Sequence, residues 1–179
     1  MKKPLLALAA GAAVLAVASP AAAAPSGDTT VTFTVSTANL DIAVPPSVNL
    51  GASFAGSTII GSLGNVTVTD SRSALSATWT ASVTSTAFTT GGGSGAETIL
   101  PNLVDYWSGP ALSTTGTGTF VPGQPTSADA VTLNLPRTAF SKTSGSGNNS
   151  ATWNPTLRIT IPPSAVGGLY TGTVTHSVA

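Results

Sequence analysis

Residues 66–83 read Val66-Thr67-Val68-Thr69-Asp70-Ser71-Arg72-Ser73-Ala74-Leu75-Ser76-Ala77-Thr78-Trp79-Thr80-Ala81-Ser82-Val83. At both ends of this stretch apolar and hydroxyl side chains alternate: Val66 and Val68 against Thr67 and Thr69, then Trp79, Ala81 and Val83 against Thr80 and Ser82. A period of two puts the first set on one face of a strand and the second on the other, so each strand has a dry and a wet side. The pattern continues outward in both directions. Upstream it runs through Val31, Phe33 and Val35 and through Leu40, Ile42 and Val44. Downstream it runs through Val131, Leu133 and Leu135, through Leu157, Ile159 and Ile161, and through Tyr170, Val174, His176 and Val178. At least seven strands are expected, and no segment has the period of a long helix. Sheets with one wet face are antiparallel as a rule. The expected fold class is therefore all-β, an antiparallel two-sheet sandwich of immunoglobulin-like, Greek-key type.

Composition agrees with that reading and narrows the function. Only 7 % of residues are charged and there is no cysteine, so packing and strand pairing alone must hold the domain together. Lys2 and Lys3, the apolar run from Leu5 to Ala18 and the small residues Ala21 to Ala24 have the order of a secretory signal. Cleavage is expected after Ala23, leaving residues 24–179 as a single exported domain of roughly 155 residues, long enough for one core. Its bases are Arg72, Arg137, Lys142 and Arg158, against the acids Asp28, Asp41, Asp70, Glu97, Asp105 and Asp129, a net charge of −2. Four scattered bases make no phosphate-binding patch, so nucleic acid is not an expected partner. The apolar run is too short to cross a bilayer, and no other candidate membrane span or covalent wall anchor is read; retention at a surface is expected to be non-covalent.

Glycine and proline clusters punctuate the strands at Pro45-Pro46, Gly91 to Gly93, Gly116 to Gly123, Ser144 to Asn149 and Pro162-Pro163. Residues 91–128 are expected to form a long loop insertion, and it carries Tyr106 and Trp107. An aromatic pair in such a loop either stacks on sugar rings or covers a sheet edge, which makes Tyr106 and Trp107 the candidate ligand-binding residues. Trp79 and Trp153 share the parity of core residues. For Trp79 a binding platform is the alternative. His176, also of core parity, is expected to be a hydrogen-bonded, partly buried residue. Asp70 and Arg72 lie on one parity and can pair to pin the turn before Trp79, a contribution of ~0–1 kcal/mol if the pair is exposed.

Catalytic machinery is not legible. The acids are isolated, whereas glycoside hydrolysis needs two carboxylates a few ångströms apart. A serine triad needs a histidine, and the one available is His176, near the C-terminus. Neither Ser94 nor Ser146 sits in a Gly-x-Ser-x-Gly turn. One histidine without cysteine does not make a zinc site, and no Asp-rich calcium loop is present, so neither metal nor cofactor is expected. Asn65-Val66-Thr67 and Asn148-Asn149-Ser150 match the glycosylation pattern but read as turns.

Val68-Thr69-Asp70-Ser71-Arg72 followed by Trp79-Thr80-Ala81-Ser82-Val83 resembles the first signature of the WxL-type surface proteins of Gram-positive bacteria, an Asp-x-Arg turn ahead of a Trp-x-Leu strand. The stretch from Gly168 through Tyr170 to Val178 is similar to the second, a Gly-x-Tyr strand running into Thr-Trp-x-Leu. Ala81, His176 and Val178 stand where that pattern has leucine, tryptophan and leucine. The resemblance implies non-covalent association with the cell wall and peptidoglycan. Sequence and resemblance together lead to the expectation of a non-enzymatic, secreted, extracellular or wall-associated protein. Its expected partners are cell-wall glycan or other surface proteins, and a stand-alone carbohydrate-binding module is the alternative.

Overall fold

A strand exists only when its backbone finds a neighbour, so the alternating segments must be sorted by pairing. The computed structural model describes residues 29–35 and 39–179; the leader expected over 1–23 lies outside them. Among the described residues there is no α-helix, and every strand pair is antiparallel. The strands are β1 (Leu40–Ala43), β2 (Thr58–Ser62), β3 (Val66–Asp70), β4 (Trp79–Ser85), β5 (Phe88–Thr89), β6 (Thr98–Ile99) and β7 (Val104–Trp107). They continue as β8 (Ala111–Thr115), β9 (Phe120–Pro122), β10 (Val131–Thr132), β11 (Arg137–Lys142), β12 (Asn149–Trp153), β13 (Thr156–Thr160) and β14 (Val174–Val178).

The sheets are ordered β1-β3-β12-β8, β10-β7-β13-β2 and β14-β4-β11-β9, with a small β5-β6 ribbon. The first two are halves of one bent layer. Strand β2 runs into β3 across Leu63–Asn65, β7 into β8 across Ser108–Pro110, and β12 into β13 across Asn154–Pro155. Register is kept across the crease: Ser62 and Trp107 face Thr156 on one side of it, Val66 and Ala111 face Trp153 on the other. Pro155 has no N–H for the ladder, and its carbonyl receives the Leu63 amide at 2.8 Å. The β4–β11 sheet packs against this layer, where Phe140 of β11 stacks on Trp153 of β12 at 4.9 Å between ring centroids. This arrangement is consistent with a β-sandwich.

Burial follows the parity. In β3 Val66, Val68 and Asp70 are buried, and in β4 Trp79, Ala81 and Val83. The wet faces carry cross-strand hydroxyl pairs, Thr67 with Thr152 at 2.9 Å, Thr115 with Ser150 at 2.7 Å and Ser82 with Ser177 at 2.8 Å.

Three expectations need correction. Val31, Phe33 and Val35 form no strand and are 80, 86 and 66 % exposed; alternation is a condition for a strand, not a substitute for a pairing partner. Residues 91–128 are not one long loop but contain β6, β7, β8 and β9, with β7 central in its sheet. The run through Leu135 stops at Thr132, leaving Leu135 59 % exposed beside Pro136, and the pairing passes to Arg137–Lys142.

Candidate functional site

The residues singled out in the sequence fall into three groups. The first is built around Asp70 at the end of β3. Its carboxylate is fully buried and accepts from Arg72 through Nε at 2.9 Å, Nη2 at 3.0 Å and the backbone N–H at 3.0 Å. Asn149 Nδ2 adds a fourth bond at 3.1 Å, while Asn149 Oδ1 accepts from Trp79 Nε1 at 2.8 Å. The charge-assisted bond from the Arg72 side chain, with its backbone N–H and Asn149 in support, outweighs the cost of burial and holds the Asp70 carboxyl down to about 2. Pairing with Asp70 likewise raises Arg72. Trp79 is 3 % exposed, so its ring belongs to the core.

The second group lies deeper. Tyr106 of β7 is fully enclosed, its hydroxyl 3.1 Å from His176 Nε2 of β14 and 3.4 Å from Trp153 Nε1 of β12. Burial pushes the Tyr106 phenol up and holds His176 down to about 4, so the imidazole is neutral at ordinary pH. Rings run without a break from one group to the other: Phe120, Trp79, Phe140, Trp153 and His176 lie within 6.5 Å of one another in succession. Tyr170 stands before β14, its hydroxyl directed at the Ala96 and Val166 carbonyls at 3.1 and 3.0 Å. Tyr106, a candidate with Trp107 for stacking on sugar or for covering a sheet edge, is instead a core residue, because neighbours on a strand face opposite ways.

The same alternation sends Trp107 outward, and with it Asp105. Across the ladder Thr156 faces Trp107 and Arg158 faces Asp105. Arg158 Nε and Nη2 both donate to Asp105 Oδ2, at 2.9 and 2.7 Å, with the side chains 38 and 22 % exposed. Among the described residues Asp105 Oδ1 and Arg158 Nη1 have no hydrogen-bond partner. The face therefore holds a half-exposed indole diagonal to an ion pair that keeps one acceptor and one donor available. Sequence reasoning found Trp107 but missed Asp105 and Arg158 as its companions; the shared parity of Asp105 with Trp107 was the available signal, while Arg158 became a neighbour only through the β7–β13 register.

The remaining described acids have local duties: Glu97 caps Ser94, Asp129 caps Thr126 and Asp41 is exposed. Among the described residues no three of His, Asp and Glu gather where a metal could sit, and no helix is long and apolar enough to cross a membrane. No protein-family model matches the chain, and no curated protein or solved structure matches it either.

Proposed function

We propose that this chain is a non-enzymatic, secreted cell-surface protein that associates non-covalently with cell-wall glycan, as its resemblance to WxL-type surface proteins implies. The observation that carries this reading is the outward face of β7 and β13. A pyranose ring of a wall glycan has an apolar C–H face, which Trp107 can cover, and hydroxyl and acetamido groups at its rim, which donate and accept. Asp105 Oδ1 and Arg158 Nη1 supply the complementary acceptor and donor. The engagement of Asp70, Glu97 and Asp129 in structural contacts supports the non-enzymatic part of the proposal.

A pull-down panel of purified peptidoglycan and neutral insoluble polysaccharides tests it. Peptidoglycan should retain the protein, and Trp107→Ala should weaken retention by about tenfold or more, the loss of a central aromatic contact, at unchanged thermal stability. Retention by another polysaccharide alone would mark a stand-alone carbohydrate-binding module. Retention by none would sink the proposal.

A further inference from the structure

The inward side of the same sheet opens into a cleft of about 590 Å³, within the size range of small-molecule sites. Its walls are Ile59 of β2, Ile159 of β13 and Ile161 on one side, Phe88 of β5, Ile99 of β6 and Tyr170 on the other. Arg158 and Ile159 are adjacent on β13 and face opposite ways, so this cleft and the Trp107 face are separate surfaces.

Two features define what the cleft can hold. None of the side chains lining it is acidic or basic. A buried charge would therefore meet no partner, and transferring one there is costly. Three of the polar side chains at hand are engaged: Asn49 Oδ1 accepts from the Gly51 amide at 2.8 Å, Ser53 and Ser57 hydroxyls bond each other at 2.7 Å, and the Tyr170 hydroxyl faces two carbonyls, which leaves the Thr171 hydroxyl and Asn49 Nδ2 against nine apolar side chains larger than alanine. A hydroxyl-rich ligand would lose its water and gain little.

The walls are fixed in place by close packing. A Cβ on Gly61 would come within 2.7 Å of Leu50, and one on Gly172 within 2.8 Å of the Phe88 ring. Among the residues lining the cleft Val48, Val166 and Leu169 are 48, 44 and 81 % exposed and give its open side an apolar collar.

We infer that this cleft binds an uncharged aliphatic chain, threaded past Leu169 and lying against Ile59, Ile159 and Ile161. The uncharged lining selects for that chemistry over a peptide terminus or a charged metabolite, and the isoleucine walls, with Asn49 Oδ1, Ser53 and Tyr170 already engaged, leave a sugar few partners.

The test titrates the uncharged fluorophore N-phenyl-1-naphthylamine into the purified chain, with 1-dodecanol and N-acetylglucosamine as competitors. Saturable enhancement at one probe per chain is expected, displaced by 1-dodecanol and not by the sugar. Leu169→Glu brings a charge to the mouth and Ala55→Trp plugs it. Both positions are exposed, so each variant should keep the parent circular dichroism and thermal midpoint while weakening the probe about tenfold or more. Absence of saturable enhancement, or undiminished binding in both folded variants, would overturn the inference. So would probe binding that disappears as the chain dimerises in sedimentation, which would identify a second copy as the occupant.

Discussion

Trp79 Nε1 and Asn149 Oδ1 meet at 2.8 Å although 70 residues separate them in the chain. Asn149 passes the connection on to Asp70, so one side chain each from β4, β12 and β3 is tied into a single buried network. Trp79 thus contributes both area and a hydrogen bond. Trp79→Ala should destabilise by about 3–5 kcal/mol in urea unfolding. Trp79→Phe keeps most of the ring contacts with Phe120 and Phe140 but orphans Asn149 Oδ1, and should cost about 1–3 kcal/mol. Equal stability of Trp79→Ala and the parent, with loss of glycan retention, would return Trp79 to the role of a platform.

Asp70 sets an acid limit. Its folded carboxyl titrates at about 2, below its ordinary value of 3.8, so the unfolded chain binds the proton first. The stability Asp70 contributes is complete above that ordinary value and is lost as pH falls through about 2, on the order of 2 kcal/mol. Asp70→Asn should be less stable near neutrality and should flatten this part of the stability profile. A profile of unchanged slope would show that the Arg72 pair is not what holds the carboxyl down.

His176 sets a second window at higher pH. Its imidazole is held down to about 4, whereas an unfolded histidine takes up its proton near 6.5. Between those values the unfolded state carries more protons, so stability falls as pH drops from about 6.5 to about 4, by up to about 3 kcal/mol. His176→Phe should remove the slope in this window and leave the Asp70 window in place. Chemical denaturation at half-unit pH steps separates the two.

Gly118 and Gly145 bring two turns into backbone contact. A Cβ at Gly118 would run into the Ser144 carbonyl oxygen, and one at Gly145 into that of Thr117; φ is +124° and +101° at the two positions. Gly118→Ala should therefore cost more than the ~1 kcal/mol usual for an unfavourable φ, because the opposing backbone must also move. A thermal midpoint within a degree of the parent would show that the turns separate freely.

The sequence was most readable where one face of a strand is wet. Val66 to Thr69 and Trp79 to Val83 alternate cleanly because the outward residues are Thr and Ser, and both became strands with the expected faces. The pairing of Asp70 with Arg72 was legible for the same reason, two residues apart on one parity. Strand β7 was hidden because its outward position is filled by Trp107, which erases the contrast between the two faces. Strand β11 was hidden by a bulge between Thr138 and Phe140 that buries the adjacent Ala139 and Phe140, so period two fails locally. Arg158 reaches Asp105 across 53 positions through the β7–β13 register, and His176 reaches Tyr106 across 70 through the packing of one sheet on another, and neither separation leaves a local signal.

Each of the three strands that cross the crease belongs to two sheets, and this makes the bends the weakest places to cut and the hardest to reach. A protease needs several residues of extended backbone in its cleft, but Leu63, Ser108 and Pro155 are buried at the crease. Limited digestion should therefore begin at the exposed tips, such as Gly91 to Gly95, and leave the crossing strands whole until the domain opens globally. A nick at an exposed tip leaves these crossings whole, so digestion should give first a nicked domain whose pieces stay associated, and small peptides only when the domain opens globally.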